Sequence, residues 1–209
     1  MKKTIFKFFP TLVVAYENVL TSEECLDLFT YCLQQQNILS GHRVLKGEAS
    51  STHYSMDCID FLDKLEKNVS SAGNIKERLQ SCLDSYSEEN GCGNLGFGKS
   101  WFNVYNENSS LLTHTHPDSI LSGALYINVD QSSPGLYFFN PNQHVHFIES
   151  EKPSEYNYEY VKFKPLIGSL ILFPSWLSHG SHGDVNFTKN RIVISFNTKK
   201  SGVRSMDRT

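Results

Sequence analysis

The sequence lacks the features that define several other classes of protein. It has no run of about 18 apolar residues, so we expect no membrane-spanning helix. The five cysteines form an odd set without a Cys-x-x-Cys pair, which argues against a disulfide framework and indicates reduced thiols in the cytoplasm. A formal net charge of -3 gives no overall attraction to nucleic acid or to an anionic membrane. We therefore predict a cytoplasmic protein with no nucleic-acid or membrane partner.

The beginning of the chain predicts one strand followed by a helix. Residues 11–16 are rich in β-forming side chains. Thr21 and Glu24 then form a capping-box pattern, in which each side chain can bond the other residue's backbone N–H. Apolar residues at helical spacing extend this helix to about Gln36. One stripe of the helix is apolar, so we expect the helix to pack on a sheet.

A second helical zone and a glycine-rich segment follow. Apolar residues between 62 and 86 recur near helical spacing, with a break at 70–73. Four glycines within 88–98 then mark the transition to a different pattern. At 209 residues we predict a single domain, with a strand and supporting helices at 1–99, a core at 100–198 and a flexible tail at 199–209.

The core region predicts a mainly β structure. About eight short β-rich runs are separated by turn sequences, a pattern typical of a double-sheet jelly roll or barrel. These runs are residues 101–105, 111–116, 121–129, 135–139, 145–148, 158–163, 169–173 and 191–197.

Three potential metal ligands alternate at one strand end. His114, His116 and Asp118 are spaced by two residues, and side chains two apart on a strand point to the same face. Imidazole and carboxylate suit a divalent first-row metal, and two ligands from one strand end need a third from elsewhere. His179 is the strongest candidate, because an apolar strand and a sharp turn lead directly to it. Arg191 opens the following strand and suits bidentate capture of a carboxylate.

The remaining histidines are weaker candidates. They are His42, His53, His144, His146 and His182. His144 and His146 repeat the spacing of the first pair but lack a comparable apolar strand, so a solvated edge or a contact from a lid over the substrate is the favoured interpretation. Trp101 and Trp176 are interpreted as core or rim residues.

In combination, these motifs resemble the Fe(II)- and 2-oxoglutarate-dependent oxygenases. The closest likeness is to a small group with a tryptophan strand, a His-x-His-Pro-x-Ser-x-x-Ser-Gly-x-x-Tyr block, a Gly-x-Leu-x-x-Phe-Pro-Ser-x-x-x-His block and an Arg-Ile-x-x-Ser-Phe-Asn strand. In this chain the four elements are Trp101, 114–126, 168–179 and 191–197. The resemblance implies a double-stranded β-helix (jelly-roll, cupin-like) core and one oxygenase domain. It also implies Fe(II), 2-oxoglutarate as cosubstrate and O2, with succinate and an oxidised substrate as products.

Two metal-ligand sets remain open in the sequence. The wider superfamily implies His116, Asp118 and His179, whereas the closer group implies His114, His116 and His179. Pro117 lacks an N–H donor and places Asp118 in a turn, which favours the three histidines. By resemblance to prolyl hydroxylases, Tyr126 would join Arg191 at the 2-oxoglutarate tail.

Further side chains are candidates for the cosubstrate pocket. Asn103 and Ser195 are the main ones, with Tyr105 and Asn128 beside them.

Two other functions stay open. One is a cupin-like metalloenzyme that does not use 2-oxoglutarate, and the other is a non-catalytic jelly-roll binding module. The substrate, a small molecule or a protein side chain, is not predicted, and neither is the oligomeric state. We expect substrate contacts from residues 37–57, 140–160 and 180–190.

Overall fold

A computed structural model describes residues 2–4, 9–55, 60–142, 144, 151–152 and 154–201. Within these residues there are three α-helices and eleven strands. The helices are α1 (Ser22–Gln34), α2 (Phe61–Asn68) and α3 (Ile75–Asn90). The strands are β1 (Val14–Tyr16), β2 (Leu45–Lys46), β3 (Ala49–Ser51), β4 (Leu95–Tyr105), β5 (Ser110–Leu111), β6 (Leu121–Asn128), β7 (Leu136–Phe139), β8 (Tyr160–Phe163), β9 (Leu170–Pro174), β10 (His179–Gly180) and β11 (Arg191–Lys200).

The strands form two main antiparallel sheets. The larger has six strands in the order β1-β9-β6-β11-β4-β3, and the smaller has three in the order β10-β7-β8. A short ribbon pairs β2 with β5. This arrangement confirms the prediction of a mainly β, double-sheet structure.

Both faces of the larger sheet are covered. On β11, Ile192, Ile194 and Phe196 lie in a core cluster shared with all three helices, while Val193 lies in a second cluster with residues of the smaller sheet. This alternation follows from the two-residue repeat of a strand. Burial of each large apolar side chain contributes roughly 1.5–3 kcal/mol.

The predicted helices form where the sequence indicated. Thr21 caps α1, and its hydroxyl accepts from the Glu24 N–H while the Glu24 carboxylate accepts from the Thr21 N–H. The second helical zone is broken as predicted, because a 3-10 turn at Ser70–Ala72 separates α2 from α3. Gly91 ends α3 with a φ of 71°, a conformation that glycine adopts without strain.

Several boundaries differ from the prediction. β4 begins at Leu95, inside the segment expected to be a glycine-rich boundary, because Leu95 is buried and pairs with Lys200. This strand therefore crosses the expected limit at residue 99. The run expected at 111–116 contains only the end of β5, since the chain turns away to pair His114 with His179.

One segment contains strands that the sequence did not predict, and two predicted segments lie outside the described residues. Residues 37–57 contain β2 and β3, which the sequence did not predict. The expected strand at 145–148 and the tail beyond residue 201 lie outside the described residues. Among the helices that the structure describes, none is both long and apolar enough to cross a membrane.

Candidate metal centre and its cavity

Three histidines meet at one end of a cavity between the two main sheets. One nitrogen from each of His114, His116 and His179 lies within 4.8 Å of the others. The ring centroids of His114 and His179 are 4.4 Å apart, and His116 lies 5.0 and 5.1 Å from them respectively. Imidazole nitrogens this close can converge on one first-row metal ion with small side-chain adjustments.

Backbone hydrogen bonds bring the two ligand-bearing segments together. The N–H of His114 donates to the carbonyl of His179 over 2.9 Å, and the His179 N–H donates back over 3.0 Å. The next residue after His179 must be small: a Cβ on Gly180 would lie 2.9 Å from the N and Cα of Thr113. The close approach of these two chains therefore depends on glycine at this position.

Two of the imidazoles have a defined tautomer. The Nδ1 of His114 lies 2.8 Å from the Leu112 carbonyl, and the Nδ1 of His179 lies 2.8 Å from the Leu177 carbonyl. A carbonyl oxygen only accepts, so each Nδ1 must carry the hydrogen when its ring is neutral. The Nε2 lone pair of both rings is then free for a metal.

The third imidazole is held by side chains. The Asn197 side chain interacts with the His116 ring and opposes the fall in its pKa that burial causes. The Asn197 Oδ1 also accepts from the Ser122 hydroxyl over 3.0 Å, and the Ser122 and Ser175 hydroxyls are 2.8 Å apart. Ser122 and Ser175 are almost completely buried, so this network has little freedom to move. It orients the His116 ring.

Sequence reasoning did not single out Asn197. The signal was present, because Asn197 lies six residues after Arg191 and shares its strand face, and both line the cavity.

The pKa of each of the three histidines is lowered, which favours the neutral ring. Burial is the first cause that lowers the pKa of each ring, and the neighbouring imidazoles lower it further at His116 and His179. The pKa of His116 falls to about 4, and that of His179 lies well below its ordinary value. Neutral rings retain the lone pair that a metal needs.

The alternative ligand Asp118 lies outside the group formed by the three histidines. It is exposed in the turn after Pro117, with a φ of 68°, a conformation that Asp tolerates better than most residues.

The remaining histidines lie in different places. His144 is exposed and His146 lies outside the described residues, while His182 packs against aromatic rings of the smaller sheet. His42 and His53 line the same cavity as the three histidines.

Arg191 lies elsewhere in this cavity, which has a volume of about 360 Å³. Its guanidinium carbon lies 4.7 Å from the ring centroid of Tyr105 and 5.9 Å from that of Tyr126. The guanidinium lowers the pKa of the Tyr105 hydroxyl, which burial raises, and its own buried Nε has no hydrogen-bond partner among the described residues. A buried unpaired donor is costly, so this end of the cavity is suited to an acceptor such as a carboxylate.

The other predicted pocket residues fall into two groups. Asn103, Tyr126 and Ser195 line the cavity, and the Asn103 amide donates to the Ser195 hydroxyl over 3.4 Å. Burial raises the pKa of the Tyr126 hydroxyl, which therefore stays protonated and able to donate. Asn128 points elsewhere, because its amide donates to the Asn190 carbonyl over 2.8 Å.

The two tryptophans differ in solvent exposure. Trp101 is buried at the cavity wall, and Trp176 is 56% exposed.

A comparison with protein-family models agrees with the resemblance seen in the sequence motifs. Residues 99–197 match the sequence model of the family described as "Putative 2OG-Fe(II) oxygenase". No curated protein matches the chain.

Solved structures share the fold. A prolyl-4-hydroxylase from Pseudomonas putida superposes with a TM-score of 0.57 at 12% identity, covering 92% of this chain and 94% of that one. HygX from Streptomyces hygroscopicus, with nickel and 2-oxoglutarate bound, gives 0.57 at 11% identity, covering 92% and 84%. A prolyl hydroxylase from Trichoplax adhaerens, in complex with a hypoxia inducible factor peptide, gives 0.55 at 16% identity, covering 88% and 82%.

Proposed function

We propose that this chain belongs to the 2OG-Fe(II) oxygenase family, whose model matches residues 99–197, that its three histidines hold Fe(II), and that its cavity binds 2-oxoglutarate as cosubstrate. The enzymes of this family are oxidoreductases that use Fe(II) and 2-oxoglutarate. The observation that carries the assignment of residues is that three neutral imidazoles and an incompletely paired buried guanidinium line one cavity.

The donor set fits Fe(II). Imidazole is a suitable ligand for this ion, and three ligands on one side would leave the remaining positions open to exchangeable groups. We favour His114, His116 and His179 over the set that contains Asp118, because Asp118 lies exposed in a turn while the three ring nitrogens lie together. Relative to a set with a carboxylate, three neutral ligands leave more positive charge on the ion. We therefore expect weaker retention of Fe(II).

The other end of the cavity fits a dicarboxylic acid. The Arg191 Nε needs an acceptor, and a carboxylate at this point would accept from the guanidinium in a site almost closed to water. The protonated Tyr126 hydroxyl is positioned on the same wall to donate to the same carboxylate. Asn103 and Ser195 line the cavity as polar contacts for the cosubstrate.

Bound Fe(II) and 2-oxoglutarate supply an oxidant from O2, with decarboxylation of 2-oxoglutarate to succinate and transfer of an oxygen atom to the substrate. The protein's own contribution is placement. Two carbonyls hold the His114 and His179 rings, and Asn197 holds His116. Arg191 fixes the far end of the cosubstrate, and the apolar residues of the second core cluster keep water out.

Anaerobic titration with Fe(II) and 2-oxoglutarate tests the proposal. The chelate of the two has a visible charge-transfer band, which we expect for the wild type and not for His179→Ala. Exposed His144→Ala is the matched control and should keep the band. A featureless spectrum for both the wild type and His179→Ala would overturn the proposed chemistry.

One observation favours a second candidate function. A three-histidine centre is also compatible with a cupin-like metalloenzyme that does not use 2-oxoglutarate. In that case Arg191→Ala would leave activity and metal binding unaltered. Failure of the protein to bind any metal after reconstitution would instead point to a binding module.

The location and organisation of the protein are further parts of this proposal. We propose a cytoplasmic enzyme, supported by an odd set of five cysteines without a Cys-x-x-Cys pair. Residues 1–99 support a catalytic core at 100–198 as one domain, since β4 and the helix-facing core cluster join the two parts.

A further inference from the structure

A group of rings lies at the wall of the cavity beside the metal centre. His42, His53, Tyr54 and Trp101 all line the cavity, and we call them the aromatic wall. Centroid distances between His53 and its three neighbours are 4.6 to 4.9 Å, and the His42 and Tyr54 rings stack at 4.8 Å. The Trp101 ring stacks on His116 at 5.9 Å, which connects the wall to the metal ligands.

The aromatic wall is partly exposed. Tyr54 is 54% exposed, and neither core cluster includes any of the four rings. Thr52 fixes the segment to β4, since its N–H donates to the Phe102 carbonyl and its hydroxyl accepts from the Phe102 N–H. The segment is therefore held in place, with the Tyr54 ring exposed to a ligand, His42 and His53 half-buried and Trp101 buried at the cavity wall.

The surroundings of the aromatic wall are positively charged. The Lys99 ammonium lies 6.0 Å from the Tyr54 ring centroid, and Arg43 lies exposed on the cavity rim. Among the described residues that line the cavity there is no aspartate or glutamate. A site with cations and no carboxylate favours an anionic ligand over a cationic one.

One polar atom in the aromatic wall is unsatisfied. The Nδ1 of His53 is buried and has no partner among the described residues. Burial is the main cause that lowers the pKa of His53 to about 4, and it also lowers the pKa of His42. Both rings are neutral at pH 7, so each can stack on a planar group and offer a hydrogen bond along its edge.

We infer that the aromatic wall and Arg43 form the substrate subsite, and that the substrate carries a planar aromatic group with an anionic substituent, a carboxylate or a phosphate. The planar group stacks against the exposed rings, the anion lies toward Arg43 and Lys99, and His53 contributes a hydrogen bond. This deepens the proposed function and rests on it, because the wall touches His116. The segment 42–54 is then the specificity-determining part of the chain.

Binding of four matched probes tests the inference without turnover. Phenylacetate and phenyl phosphate are planar and anionic, cyclohexylacetate lacks the planar ring, and phenylacetamide lacks the charge. Calorimetric titration of the full chain, both in the presence of a chelator and after addition of Zn(II), gives their affinities. We expect at least one of the two planar anions to bind about ten-fold tighter than the two incomplete probes. The preferred planar anion distinguishes a carboxylate from a phosphate.

Variants locate the bound probe. Arg43→Gln removes the cation and Tyr54→Leu removes an aromatic ring. Each should weaken binding of the preferred probe about five-fold. Lys46→Gln and Tyr158→Leu change an exposed cation and an exposed tyrosine outside the cavity lining, and should leave the affinity unchanged. Equal affinity for all four probes would overturn the inference. So would a loss of binding in Arg191→Met but not in Arg43→Gln, which would place the probe at the other end of the cavity.

Probe binding tests the substrate subsite, whereas the Fe(II) chelate band tests the oxygenase chemistry. Selective probe binding without an Fe(II) chelate band would contradict the proposed function while leaving the ligand class standing. A chelate band without selective probe binding would contradict the subsite alone.

Discussion

The two faces of the six-stranded sheet differ in the side chains that they bury. On β11 the helix-facing side carries Ile192, Ile194 and Phe196, all fully buried. The cavity-facing side carries Arg191, Ser195 and Asn197 at alternate positions. One strand thus supplies both core packing and site chemistry, and the two-residue repeat separates them. Mutations on the two faces should therefore affect different measured quantities.

The largest expected effect is a loss of stability, and it is expected for a substitution on the helix-facing side of β11. Ile194→Ala removes a fully buried side chain and should lower the free energy of unfolding by about 2–5 kcal/mol. Urea titration followed by circular dichroism measures this loss. The folded fraction should keep its affinity for metal, and a specific loss of metal affinity in fully folded protein would break the separation of the two faces.

On the cavity side, Arg191→Met should act on cosubstrate binding. Loss of a charged hydrogen-bond donor costs about 1.5–3 kcal/mol, which corresponds to a KM for 2-oxoglutarate raised about 10- to 100-fold. The substitution also removes the contacts of the guanidinium with the Tyr105 and Tyr126 rings, so urea titration of the same variant measures any change in stability separately. Steady-state measurement of succinate formation against 2-oxoglutarate concentration gives KM. Lys46→Met, on the exposed side of β2, is the control, and an unchanged KM in Arg191→Met would favour the 2-oxoglutarate-independent alternative.

Asn197→Ala tests the support of one ligand. Partners that orient a metal-bound histidine typically contribute 10- to 100-fold to affinity, so we expect a loss of about 10-fold for Fe(II) or Zn(II). Competition with a chromophoric chelator measures the metal affinity. Asn128→Ala is the matched control, since that side chain bonds the Asn190 carbonyl away from the cavity. Equal effects of the two substitutions would show that Asn197 has a general structural role.

The smallest effect is expected at the N-terminal helix. The Arg78 guanidinium bonds the half-buried Glu24 carboxylate over 2.6 Å and lowers the pKa of that carboxyl, with the Thr21 N–H contributing. A lowered pKa in the folded state means that the stabilisation is complete above the ordinary pKa and disappears as the pH falls through the folded value. Glu24→Gln should therefore cost about 1 kcal/mol at pH 7 and much less near pH 3. Thermal unfolding at the two pH values measures this, and a loss that does not depend on pH would contradict the ion-pair explanation.

Local patterns in the sequence were sufficient to predict much of the fold. The capping box of α1, the break between α2 and α3 and the strands that contain Tyr126 and Arg191 depend on spacing within short segments. The same holds for the proposed ligands: an apolar strand ending at His179 and two histidines two residues apart are local signals.

The elements that sequence reasoning missed depend on distant contacts. β10 is only two residues long and exists because His179 and Gly180 pair with β7, about forty residues earlier in the chain. The aromatic wall forms because residues 51–54 are fixed to β4, which is about fifty residues away in the chain. Neither the stacking of Trp101 on His116 nor the unpaired Nε of Arg191 has a signature in a local pattern.

The most direct test of the account is an anomalous diffraction map of crystals prepared anaerobically with Mn(II) and 2-oxoglutarate. We predict one strong peak bonded to His114, His116 and His179, with the cosubstrate chelating the ion and its far carboxylate accepting from Arg191. A peak coordinated by Asp118, or a cosubstrate whose far carboxylate does not contact Arg191, would contradict it.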